Sequence, residues 1–116
     1  MRVLREADAL IAPDLIFPEV ANAFYQQIKM GMANEERLRD GLDLLPRWFS
    51  EIVPSAILRN RAFDLSVHLK HPAYDCFYLA LALVRDVKFV STDSHFLRKA
   101  SAHGYQDSVV HLEDWQ

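Results

Sequence analysis

Short apolar runs alternate along the chain with stretches whose apolar residues recur at helical spacing. Ala9-Leu10-Ile11-Ala12 is an unbroken apolar run closed by Pro13, which predicts a buried strand. From about Leu15 to Met30 the pattern turns helical: Val20, Phe24 and Ile28 share one face, and Gly31 predicts the stop. Asn34 is placed to cap a second helix, whose Leu38, Leu42 and Leu45 form one face before Pro46 ends it. Glu51-Ile52-Val53 predicts a strand closed by Pro54. Ser55 is then expected to cap a helix with Leu58, Ala62, Leu65 and Leu69 on one face, running toward His71-Pro72. Another helix starts near Tyr74 and is apolar on almost every side through Val84, the pattern of a helix buried all round. Val87 to Val90 predicts a strand. Ser91-Thr92-Asp93 leads into a short helix ending at Gly104, and Ser108 to Leu112 predicts a last strand.

Strands alternating with helices predict an α/β fold, a three-layer α/β/α sandwich with a mainly parallel sheet, and residues 1–116 form one domain. Met1 to Glu6 departs from that scheme. Val3 and Leu4 are apolar while Arg2, Arg5 and Glu6 are polar, which reads as the last turns of a helix. A doubly wound domain ordinarily opens with a strand, and none precedes this segment. The expectation is a domain incomplete at its N-terminus, with the first strand absent.

Composition narrows the function classes. The 116 residues are 51% hydrophobic, enough for a real core. A net charge of −3, with Lys and Arg scattered, shows no basic stripe for nucleic acid. The single cysteine, Cys76, excludes an internal disulfide framework and fits a reducing cytoplasm. Arg5, Glu6 and Asp8 interrupt the place where a signal peptide would need an apolar stretch. The longest uncharged apolar run, Cys76 to Val84, is too short to span a bilayer. A cytoplasmic protein with no membrane segment is expected.

Three carboxylates stand at or near predicted junctions of strand and helix, where α/β folds gather their chemistry. Glu19, in PEVANAF, heads a polar stripe with Asn22 and Gln26 that reads by itself as a solvated face. Asp75, in YDCFYLALA, falls in the first turn of the buried helix, where capping is the plain reading and the helix dipole favours the ionised form. Asp93, in VSTDSHF, follows a strand and starts a helix, and also reads singly as a cap. Acidic groups drawn together from distant segments repel one another, and a divalent cation normally offsets that cost. Taken together, the three point to a metal-dependent hydrolase.

The segments APDLIFPEVANAF and HPAYDCFYLALALVRDVKFVSTDSHFLRKA, with the closing VVHLED, are similar to the PIN-domain family, and within it to the VapC-like ribonuclease toxins of toxin–antitoxin pairs. The order YD…YLALA…STD…F carries most of that specificity. The resemblance implies a nuclease site in which Glu19, Asp75 and Asp93 hold Mg²⁺ or Mn²⁺ at the carboxyl edge of the sheet. It places Ser91 beside the metal, with Asn22 in a supporting position. It also implies an RNA substrate, a cognate antitoxin and a homodimer. PIN domains open with a central strand bearing a further acidic ligand, for which this chain has no counterpart; neither Asp8 nor Asp14 matches its context. Loss of that strand is expected to remove a ligand and to bare two strand edges, beside Ala9–Ala12 and Val87–Val90. The alternative is a non-catalytic PIN-like remnant that binds an antitoxin or another protein.

The five histidines predict no transition-metal site: His68 and His71 straddle a helix end, and surface or capping roles fit all five. Cys76 lacks a Cys-His-Asn context and reads as a small buried hydrophobe. Tyr74, Phe77 and Tyr78 read as core packing rather than as base-stacking groups.

Overall fold

The computed structural model describes residues 2–6 and 9–115. Asp8, and Met1 at the head of the expected helix remnant, lie outside the described residues. Among the described residues five strands form one sheet: β1 (Arg2–Glu6), β2 (Ala9–Pro13), β3 (Phe49–Val53), β4 (Lys88–Ser91) and β5 (Val109–His111). Their order across the sheet is β3-β2-β1-β4-β5. Five α-helices accompany them: α1 (Ile16–Lys29), α2 (Glu35–Leu44), α3 (Ser55–Leu69), α4 (Ala73–Arg85) and α5 (Ser94–Ala102). β2 pairs with β3, and β4 with β5, in parallel, while β1 is antiparallel to both of its neighbours. Four strands therefore run one way and β1 runs against them, in the α/β sandwich with a mainly parallel sheet that the alternation predicts.

The N-terminal segment corrects one expectation. Arg2–Glu6 is a strand, not the end of a helix, and it fills the place between β2 and β4 that was expected to be vacant. Its two apolar residues, Val3 and Leu4, are flanked by charges and form no apolar run of the kind that marks β2. What fixes it are the two ladders on either side, which would otherwise hold unpaired N–H and C=O groups inside the sheet. Only two positions separate Glu6 from Ala9, too few for the crossover that parallel pairing needs, so β1 must run in reverse. Leu4 stands opposite Ile11 on one side and Phe89 on the other, and all three are fully buried.

Charges hold β1 in register at both ends. Its first residue, Arg2, pairs with Asp75 in the first turn of α4. Its last residue, Glu6, takes two hydrogen bonds of 2.9 Å from Arg85 at the end of α4, and Arg85 also reaches Glu51 on β3. The lengths match: ten residues of helix rise about 15 Å, and four steps of strand about 14 Å. A one-residue slip would break both clamps and turn Leu4 out of the core.

Helix α4 is the centre of the packing. It lies against β1, β2, β4 and α3, and Cys76, Tyr78, Leu79, Ala80, Leu81 and Ala82 are all buried, as its apolar circumference predicts. Tyr78 stacks on Phe89 with ring centroids 5.5 Å apart, and Phe89 meets Phe96 of α5 at 5.7 Å. Truncating Phe89 to Ala removes the middle ring of this row. It should cost about 3–5 kcal/mol, read as a lowered urea midpoint in an equilibrium unfolding curve.

Asn34 caps α2 as expected, accepting from the Glu36 and Arg37 amides. Gly31 ends α1 at a φ of +69°, a left-handed conformation that glycine adopts without a Cβ penalty. Ser55, expected to cap α3, is instead its first residue. Its amide and hydroxyl both donate to Asp14 at the end of β2, which ties α3 to the sheet. The apolar faces of α1 and α2 stay only partly covered: Val20, Phe24, Leu38, Leu42 and Leu45 are half-buried, and Ile28 is exposed.

Candidate functional site

Because β1 is reversed, its first residue lies at the carboxyl edge of the other four strands, where Arg2 pairs with Ser91 at the end of β4. Three more elements deliver side chains to this edge. α1 brings Glu19, the start of α4 brings Asp75, and the turn after β4 brings Asp93.

Asp75 is the hub. Its side chain is about nine-tenths buried, and its two oxygens face different partners. Oδ2 lies 2.8 Å from His71 Nε2. Oδ1 lies 2.8 Å from Arg2 Nε, an ion-pair distance, but among the described residues no donor is aligned to hydrogen-bond it. Arg2 then reaches from Asp75 to Glu19, whose Oε2 accepts from Nη1. The guanidinium also sits 5.4 Å from the centre of the Tyr78 ring. Burial opposes the charge on Arg2, yet Asp75 and Glu19 outweigh it, and the guanidinium becomes more basic than usual. The other oxygen of Glu19, Oε1, accepts from the Tyr78 hydroxyl at 2.6 Å. Burial first, and then that bond to Glu19, push the phenol pKa well above its ordinary value, so Tyr78 remains a donor.

Asp93 occupies the N-cap of α5 and its Oδ1 accepts from the Phe96 amide at 3.1 Å. The Asp93 amide in turn donates to Ser91 Oγ at 3.0 Å, and Ser91 is buried. The capping reading of Asp93 thus holds, and it fixes the carboxylate rather than removing it from the site. One ligand-type atom from each of His71, Asp75 and Asp93 lies within 4.8 Å of the other two.

The structure therefore brings Asp75 and Asp93 together directly and joins Glu19 to Asp75 through Arg2. Asp75 is not a helix cap, since α4 has no side-chain cap. Asn22 is exposed but lines the same open cleft of about 500 Å³ as Arg2, Glu19, Trp48 and Tyr78. Gln26 does not line it, so the polar stripe on α1 contributes only its first members. Cys76 points into the core, where burial and then the charge of Asp75 push its thiol up to about 11, consistent with an inert side chain.

The donor set suits a divalent cation. A buried carboxylate oxygen with no aligned donor and a second carboxylate close by offer hard oxygen donors, the chemistry that Mg²⁺ and Mn²⁺ select.

No protein-family model matches the chain. Individual proteins do. Ribonuclease VapC1 of Mycobacterium tuberculosis, in strains CDC 1551 / Oshkosh and ATCC 25618 / H37Rv, is 33% identical over 95 residues. The match covers 80% of this chain and 67% of the relative. The chain belongs to the VapC family.

Within this VapC chain, two site residues escaped the sequence reading. His71 was expected at the surface, yet its side chain is only 8% exposed and bound to Asp75. Its signal was the i, i+4 spacing to Asp75 across Pro72, which places both on one face of the helix start. Arg2 had no such signal, because its partners lie 17 and 73 positions away. Tyr78 packs in the core as expected, and its hydroxyl adds a polar role. Among the described residues no helix is long and apolar enough to cross a membrane.

Proposed function

We propose that this VapC chain is an endoribonuclease, the toxin of a toxin–antitoxin pair, that hydrolyses RNA phosphodiesters with Mg²⁺ or Mn²⁺ held by Glu19, Asp75 and Asp93. The observation that carries the reading is the buried Asp75 carboxylate, whose Oδ1 has an ion-pair contact from Arg2 but no aligned hydrogen-bond donor among the described residues, set beside Asp93 at the carboxyl edge of the sheet. When bound, the ion supplies Lewis acidity at the scissile phosphate and lowers the pKa of an attacking water. The chain's own residues prepare that site. Tyr78 fixes Glu19, the Phe96 amide fixes Asp93, and Ser91 holds the turn that carries Asp93. Partners on this reading are RNA, a cognate antitoxin and a second copy of the chain, in the cytoplasm.

One observation favours a second reading. Arg2 already neutralises Glu19 and Asp75, as a protein would that binds a partner without catalysis. Cleavage of a structured RNA, read on a denaturing gel, separates the two. The nuclease reading expects fragments with Mn²⁺ and none with EDTA or with Asp93→Asn. Fragments that persist in EDTA sink the metal-dependent assignment. Intact RNA at every ion tested, with retained binding to the antitoxin, supports the second reading.

A further inference from the structure

We infer that His71 is a positioning residue for Asp75, and that Lys99 sets the ring nitrogen from which His71 acts. The inference rests on the metal site proposed above and assigns a role within it to a side chain outside its carboxylate set.

The placement of His71 is built from several sides. Its amide donates to the Ser66 carbonyl at 3.1 Å, and its carbonyl accepts from the Ser66 hydroxyl at 2.5 Å. Before it, Lys70 ends α3 in the left-handed region, at φ 52° and ψ 51°. After it, Pro72 restricts the backbone and opens α4. The ring packs against Phe96 at 4.8 Å between centroids. A side chain held this way has little freedom to swing, as a residue that orients another requires.

Lys99, on α5, completes the arrangement. Its ammonium donates to the Lys70 carbonyl at 3.0 Å and faces His71 Nδ1 at 3.5 Å. An ammonium offers only protons, so the nitrogen it faces is the one carrying the lone pair. The ring proton then sits on Nε2 and is donated to Asp75 Oδ2 at 2.8 Å. One carboxylate oxygen is thereby occupied, and the other, Oδ1, which Arg2 contacts only as an ion pair, is the one turned to the site. A ring whose Nε2 carries the proton is a donor to the carboxylate and not a ligand to the ion. The same partition of roles makes outer-shell groups matter at metal centres, where their loss typically weakens binding about 10–100-fold.

The test is Mn²⁺ binding by the whole chain, followed by calorimetry, with circular dichroism to check the fold of each variant. His71→Phe keeps the ring against Phe96 and removes the donor; it should weaken Mn²⁺ about 10–100-fold. His71→Gln, whose amide nitrogen can replace Nε2, should restore most of that loss, which a purely space-filling role would not produce. Lys99→Met provides a second variant away from the core. Charge alone predicts that removing an ammonium tightens cation binding; loss of the set tautomer predicts that it loosens. Wild-type affinity in His71→Phe, or tighter binding in Lys99→Met, overturns the inference. So does electron spin-echo modulation from an imidazole nitrogen on bound Mn²⁺ that vanishes in His71→Phe, since it would make His71 a ligand. Absence of Mn²⁺ binding by the wild type instead removes the metal site itself, and the inference with it.

Discussion

Asp75→Asn should abolish metal-dependent RNA cleavage while leaving the protein folded. The substitution changes one oxygen to an amide nitrogen and removes a full negative charge from the buried hub of the site. An amide oxygen still accepts from His71 Nε2, so the local geometry at the start of α4 survives. On the proposed reading the ion would lose a ligand at Oδ1, which has no aligned donor among the described residues. Metal ions contribute several kcal/mol to charge stabilisation at a transferring phosphate. At 1.36 kcal/mol for each factor of ten, the rate should fall on the order of 10³-fold. The cost to stability should be only about 1 kcal/mol, because Arg2 is partly solvated and retains Glu19. Initial rates on a labelled RNA, with urea unfolding of the same preparation, measure both. Cleavage at the wild-type rate in a folded Asp75→Asn protein would remove Asp75 from the chemistry.

Arg2→Gln should move stability and metal affinity in opposite directions. In the structure the guanidinium is the counter-charge that Glu19 and Asp75 share. Without it, and without metal, Glu19 and Asp75 lose their shared counter-charge, and β1 loses the clamp on its first residue. Removing one member of a buried ion pair costs about 3–5 kcal/mol. With a third of the Arg2 side chain exposed, about 2 kcal/mol is the expected loss. The same vacancy removes a competing positive charge, so Mn²⁺ should bind about tenfold more tightly. Saturating metal should then return most of the lost melting temperature, because an ion that binds only the folded state stabilises it. Thermal melts of wild type and variant, with and without Mn²⁺, decide the matter. Equal melting temperatures and equal metal response would show that Arg2 is a bystander at the surface.

These two variants probe the site from opposite sides of one carboxylate, and they reflect how unevenly the sequence announced its parts. Asp75 was visible because it heads a long apolar helix, and Asp93 because it follows an apolar run and starts a helix. Both signals are local, carried by periodicity within a few turns of the residue. Glu19 was visible only in company, since its own stripe with Asn22 and Gln26 resembles any solvated face. His71 was misread as a surface group because its burial depends on Phe96 and Lys99, which arrive from α5. The Asp14 cap on Ser55 was missed for the same reason, being a contact across 41 positions.

The sequence by itself determined the helices α1 to α5 and the strands β2, β4 and β5 to within a residue or two, and it singled out Glu19, Asp75 and Asp93 as candidates. Each is encoded in a segment whose own hydrophobic period or turn residues leave few alternatives. Only the tertiary structure decided the state of Arg2–Glu6, the direction of β1 and the clustering of Arg2, His71 and Asp75. Arg2–Glu6 lacks the unbroken apolar run and closing proline that mark β2, and it takes the conformation of the ladders that satisfy its backbone. Once β1 runs in reverse between β2 and β4, Arg2 stands at the carboxyl edge beside Glu19 and Asp75. No pattern along the chain records that juxtaposition, because it is made by strand pairing and charge across the fold.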